Sequence, residues 1–252
     1  MDCSIPTLAI NRKMCYNIIM LTRLIYTIGY SGYGNNPDLL IDELKKRKIN
    51  VIIDVRSNPY SAQFNLFNKE PFEKELLKNG IHYRNYADYF GAKQEDPTFY
   101  SRFDGKELRI DYDIFVQSEL FKKGANNMIT IVEKEFIPAI MCSEKDPINC
   151  HRAIMVSRVL FHDYGFEVKH IVPGKKEESQ SELEKRIMET VRADLVHKKK
   201  LNQLEQKMKD MINTPPMFAA QSSNYINDIF NYYRIINSRI GWTREEVLGY
   251  KK

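Results

Sequence analysis

Asn50-Val51-Ile52-Ile53-Asp54-Val55-Arg56-Ser57-Asn58-Pro59 decides the fold. The run from Val51 to Val55 is rich in β-branched residues and reads as a buried strand. The residues after it turn polar and close on Asn-Pro, a turn signal. Upstream, Leu24-Ile25-Tyr26-Thr27-Ile28 is a second such run, stopped at Gly29. Residues 37–48 lie between them and read as a helix, with Pro37 in the first turn, Leu40, Ile41 and Leu44 at helical spacing, and a basic last turn.

The alternation continues downstream. Residues 69–78 read as a helix closed by Asn79-Gly80, and 81–84 as a short strand. A helical stretch over 112–133 is expected to break near Gly124. Strands are expected over 136–142 and 166–172, separated by an amphipathic helix over 150–164 that ends at Gly165. Strands alternating with helices of this length imply parallel βαβ units with right-handed crossovers. The expected architecture is therefore α/β: a Rossmann-like three-layer domain over residues 24–173, with a five-stranded, mostly parallel sheet.

The flanks differ in character. Residues 1–23 lack a clear period and are expected to be a tail. Arg12 and Lys13 come late and Asn17 interrupts the apolar run, so no export signal is expected; Met14 and Met20 offer later starts. Residues 174–252 are expected to form a helical extension. The segment 175–211 is charged and poor in breakers, and Pro215-Pro216 interrupts it. Residues 224–240 then carry Ile226, Ile229, Phe230, Tyr233 and Ile236 at helical spacing, a face expected to dock on the sheet domain or on a second copy.

Composition narrows the class. The chain has 252 residues, 43% hydrophobic and 28% charged, in the globular range. No apolar run approaches the ~18 residues of a membrane span. Four cysteines do not make a disulfide scaffold, and beyond the tail only Cys142 and Cys150 remain, which suits a reducing cytoplasm. The net charge is +5, but Leu24 to Pro173 carries 20 basic and 21 acidic residues, so the basic excess sits in the flanks. That excess reads either as a solvated helical surface or as weak attraction to nucleic acid.

In a parallel α/β sheet, ligands bind beyond the carboxyl ends of the strands. Reactive and polar residues gather there. The richest segment runs from Cys142 through Glu144 and Asp146 to Cys150, His151 and Arg152, from a strand end into a helix start. A helix N-terminus favours anions and lowers a thiol pKa. Cys150 or Cys142 is the candidate nucleophile, His151 or His170 its base, and Asp54 or Glu144 the group orienting that base. Arg56 and Arg152 are the candidate anion ligands, with Ser31, Ser57, Ser61, Tyr83 and His170 as further contacts. Asp54 and Arg56 alternate onto one face, where they form either a structural pair or a working one. Tyr83, Tyr86, Tyr89, Phe90 and Tyr100 either pack or stack on bases. A metal set of Cys142, Cys150, His151 and His170 is the weaker reading, because the eight-residue cysteine gap is not a zinc-ribbon spacing. No cofactor is named by any motif.

These motifs resemble one family. Tyr26-Thr27-Ile28-Gly29-Tyr30-Ser31, Ile53-Asp54-Val55-Arg56-Ser57-Asn58-Pro59-Tyr60-Ser61, Gly80-Ile81-His82-Tyr83, Met141-Cys142-Ser143-Glu144-Lys145-Asp146-Pro147 with Cys150-His151-Arg152, and Val168-Lys169-His170-Ile171 follow in the order of the domain of unknown function 488 (DUF488) family. The resemblance spans about residues 24–173. It implies a Rossmann-like domain of prokaryotic type and no established activity. Phe90-Gly91-Ala92 stands where that family usually has Leu-Gly-Gly. The function expected is an enzyme-like site for an anionic nucleotide or nucleic-acid substrate. The alternatives are a non-catalytic binding module or a Cys/His metal site. A homo-oligomer built through the C-terminal extension is a further expectation, and no membrane association is expected.

Overall fold

The structure is a computed structural model that describes residues 23–103, 107–213 and 227–249. Residues 1–22 of the expected tail, Pro215-Pro216, Asn224 and Ile226 lie outside those residues.

The main sheet contains β1 (Leu24–Gly29), β2 (Val51–Asp54), β3 (His82–Asn85), β6 (Pro138–Cys142), β7 (Glu167–Ile171) and β8 (Glu178–Ser179). A separate antiparallel pair, β4 (Tyr100–Arg102) and β5 (Leu108–Ile110), lies between β3 and β6 in sequence. The main sheet has the order β3-β2-β6-β1-β7-β8. The five expected strands pair parallel, and β8 adds a sixth, antiparallel to β7. The expected count of five therefore becomes six. The extra strand is two residues long and too short to leave a periodic trace.

Strand alternation divides the core. Ile52 and Met141 point to one face, with Leu40, Ile41 and Leu44 of α1 (Pro37–Lys46) and Phe72 and Leu76 of α2 (Lys69–Lys78). Ile53 and Ile140 point to the other face, with Phe121, Ala125 and Met128 of α3 (Glu119–Glu133). The break before α3 falls at Ser118, whose side chain caps the helix, and not at Gly124. That glycine sits inside α3, where an added Cβ would come 2.6 Å from Tyr89. After β6, the chain turns helical through a π-helical stretch, Arg152–Ser157, that runs into α4 (Arg158–His162).

The C-terminal extension joins the Ile53 face. It contains α5 (Gln180–His197), α6 (Gln203–Ile212), α7 (Ile229–Ile240) and α8 (Arg244–Leu248). Leu183, Ile187, Val191 and Leu195 of α5 are buried in the same cluster as Ile53 and Ile140, as are Tyr232, Tyr233, Ile235 and Ile236 of α7. The buried face of α7 keeps Tyr233 and Ile236 of the expected one and is wider than expected. Phe230 is 46% exposed because it lies in the first turn after the Asp228 cap, and Tyr232 and Ile235 take the core positions.

Candidate functional site

The carboxyl ends of three adjacent strands converge. In the sheet register Gly29 of β1 lies opposite Cys142 of β6, and Asp54 of β2 lies opposite Met141. The loop after β6 folds back over the end of β1. A Cβ at Gly29 would sit 1.8 Å from the Glu144 carbonyl oxygen, so only glycine admits the loop there. The Ser31 amide donates to the Ser143 carbonyl at 3.0 Å. Arg152 Nη1 donates to the Glu144 carbonyl at 2.6 Å, and Nη2 reaches that of Lys145. From the extension, Arg186 clamps Asp146 with two hydrogen bonds of 2.9 and 3.0 Å.

This scaffold brings four reactive side chains together. Glu144 Oε2 accepts from Cys142 Sγ at 3.2 Å and from Cys150 Sγ at 2.9 Å. His151 Nε2 lies 3.0 Å from the Val55 carbonyl. A carbonyl only accepts, so Nε2 carries the proton and Nδ1 is left facing Cys142 Sγ at 3.7 Å. Ligand atoms of Cys142, Cys150 and His151 all lie within 4.8 Å of one another, and all three residues are buried. Glu144 is exposed at the surface of the loop while its carboxylate reaches in to the sulfurs.

Their ionisation is interdependent. Burial alone would raise the Cys150 thiol, but a hydrogen bond from Cys142 and the charges of Arg152 and His151 hold it well below its ordinary value. Burial raises Cys142, and the neighbouring Cys150 thiolate raises it further. Burial and the Cys150 charge also raise Glu144. His151 rises despite its burial, because it bonds to and is attracted by Cys150 and is also drawn to Glu144.

A cavity of about 240 Å³ opens above the cluster. Cys142, Glu144 and His151 line it, together with Ser143, Arg56, Ser57, Asn58, Tyr60, Ala92, Lys93 and Trp242. Cys150 does not line it and stands behind Cys142. Lys93 Nζ lies 3.7 Å from the centre of the Trp242 ring. Trp242 is held by its backbone, since its carbonyl accepts from the Ile110 amide at 3.0 Å. Sequence reasoning missed Lys93 and Trp242. The one available signal was that Trp242 is the only tryptophan in the chain.

The other expected site residues have different places. Arg56 is 3% exposed and pairs with Asp54 (Nη2–Oδ2 2.6 Å, Nε–Oδ1 2.9 Å). Tyr83 donates to the same carboxylate at 2.6 Å. Asp54 and Tyr83 thus brace Arg56 from beneath and do not line the cavity. Arg152 is fully buried, donates to the loop carbonyls of Glu144 and Lys145 and does not line the cavity, so the two arginines do not face it together. Ser57 Oγ accepts from the Lys93 amide and shapes the cavity wall. Ser61 Oγ accepts from the Phe64 amide in a local turn. Ser31 contributes its backbone. His170 lies deep in β7, with Nδ1 2.8 Å from Thr27 Oγ1 and Nε2 2.9 Å from Gln180 Oε1. It belongs neither to the cavity nor to the sulfur cluster. The loop aromatics pack among themselves, with Tyr86 and Tyr89 centroids 5.2 Å apart and Phe90 and Phe121 5.0 Å apart.

No described helix is long and apolar enough to cross a membrane. No curated protein and no solved structure matches the chain. Residues 36–159 match the model of the family described as Domain of unknown function DUF488. The match takes in β2 and the whole Cys142–Arg152 loop, and it stops short of β7 and the extension. Over that stretch, which carries the cluster and most of the cavity wall, the chain matches the DUF488 family.

Proposed function

We propose that the strand-end cavity binds an anionic ligand, by class a nucleotide or the phosphate of a nucleic acid, and that the thiol–imidazole–carboxylate cluster at its base acts on it. The observation that carries this reading is that Arg56 and Lys93 line the same cavity as Cys142, Glu144 and His151. Arg56 is held rigidly by Asp54 and has Nη1 left without a hydrogen-bond partner. Lys93 lies over an aromatic face and forms no ion pair among the described residues. Two cations set close together favour an anion between them. Of the two thiols, Cys142 is the one a ligand meets, and His151 Nδ1 is the base nearest to it.

A ligand that binds only the folded state raises its melting temperature. Millimolar inorganic phosphate or a nucleotide is expected to do so for the full chain. Lys93→Ala, which removes a half-buried side chain outside the core, is expected to fold and to lose most of that rise. No rise with either ligand, or a rise unchanged in Lys93→Ala, overturns the reading.

A further inference from the structure

We infer that Cys142, Glu144, Cys150 and His151 form a mononuclear site for a borderline-to-soft divalent ion, zinc or ferrous iron by class. The four side chains come from one ten-residue loop and offer two sulfurs, one nitrogen and one carboxylate oxygen. Such a donor set selects zinc, iron or cobalt over magnesium and calcium, which take oxygen alone.

The geometry agrees. A tetrahedral ion with bonds of roughly 2.3 Å to sulfur and 2.0–2.1 Å to nitrogen sets S and N about 3.6 Å apart. Cys142 Sγ and His151 Nδ1 are 3.7 Å apart. Glu144 Oε2 lies 3.2 and 2.9 Å from the sulfurs but outside the 4.8 Å group formed by Cys142, Cys150 and His151, so its carboxylate must swing toward His151 to become the fourth ligand. An exposed side chain on a loop can make that adjustment.

His151 supplies an independent observation. Its Nε2–H is tied to the Val55 carbonyl, which turns the bare Nδ1 toward the sulfurs. Metal-bound histidines are oriented in this way, by an outer hydrogen bond from the other ring nitrogen. The loop is braced too, since Arg152 fixes the Glu144 carbonyl. The long cysteine gap ceases to be an objection, because Glu144 and His151 stand where a zinc ribbon has its second cysteine pair. His170, the fourth ligand of the sequence-based set, is replaced by Glu144. Three of the four donors line the cavity, so the ion faces whatever binds there. With the ion bound, the cluster acts through the metal and not as a free thiol.

This proposal shares its residues with the site reading above, but its test reads metal and not phosphate. Full-length protein stripped with a chelator is titrated with Co²⁺ under reducing conditions. The expected result is one equivalent bound, with a sulfur-to-cobalt charge-transfer band and the intense visible bands of a four-coordinate ion. Zinc should displace both. Cys142→Ser and Cys150→Ser should each weaken the charge-transfer band by about half or more. Glu144→Gln, at a surface residue, should keep the band and weaken binding at least tenfold. Binding well below one equivalent, spectra of a six-coordinate ion, or a charge-transfer band unchanged in both cysteine variants overturns the site. If phosphate fails to raise the melting temperature while cobalt binds as described, the anion reading falls and the metal site stands.

Discussion

His151, just beyond β6, and His170, inside β7, are both enclosed, at 8% and 0% exposure, yet their ring nitrogens are used differently. His170 spends both. Thr27 stands at Nδ1, Nε2 donates to Gln180, Gln180 donates to Tyr233, and Tyr233 donates to Glu184 at 2.8 Å. The chain of bonds runs from the sheet into the C-terminal extension and leaves nothing over for chemistry. Burial first, and then the Arg152 charge, pull His170 down to about 3. His151 spends only Nε2, and its Nδ1 faces sulfur beside a cavity. Enclosure therefore does not separate a structural histidine from a reactive one; the number of uncommitted nitrogens does.

Neither histidine carries the largest stability effect. Beneath the cavity, Asp54 at 1% exposure neutralises Arg56 at 3%. Asp54→Ala strands a buried guanidinium and is expected to cost about 3–5 kcal/mol. Chemical denaturation measures it. A loss below ~1 kcal/mol would show that water or another group solvates Arg56, and the rigid cavity wall would go with it.

The next effect belongs to His170. Its folded pKa lies below the unfolded value, so its stability contribution is complete above pH 6.5. That contribution is lost as pH falls from there toward 3, because the unfolded chain takes up the proton first. The loss approaches about 1.4 kcal/mol per pH unit. Unfolding free energies of wild type and His170→Gln between pH 7 and 5 are expected to converge on acidification. Parallel curves would mean that His170 accepts a proton in place, and the contrast with His151 would fail.

A smaller effect is expected at the cavity mouth. Trp242 is 39% exposed, and its contact with Lys93 is a cation–π pair worth roughly 0.5–1 kcal/mol. Trp242→Ala should lower stability by about that much and shrink the phosphate-induced rise in melting temperature. A rise as large as wild type would leave the extension without a part in binding.

The parallel strands were legible because each β-branched run ends at Gly, Asn-Pro or a charged turn and alternates with an amphipathic helix. The β4–β5 pair was not. Tyr100-Ser101-Arg102 and Leu108-Arg109-Ile110 are three-residue strands with no period to read. The split of the extension after His197 was missed for another reason. No Gly or Pro marks it, and its signal is the Asn202/Glu205 capping box. For the site, the single segment 142–152 displayed the cluster, because all of its members are close in sequence. Lys93 and Trp242 reach the cavity through the loop beyond β3 and through the extension, and no local pattern announces a contact made over 149 residues (Lys93 to Trp242). Arg152 misled because its charge was visible and its hydrogen bonds to the loop carbonyls were not.

The most direct test of the central claim follows both imidazole rings by NMR across pH 8 to 4, with and without phosphate, in the metal-free protein. His151 is expected to titrate above the ordinary value of 6.5, held there by Cys150 and Glu144, and its signals should move when phosphate fills the cavity. His170 should stay neutral throughout and ignore phosphate. Matching titrations of the two rings, or a phosphate response at His170 and none at His151, would contradict the account.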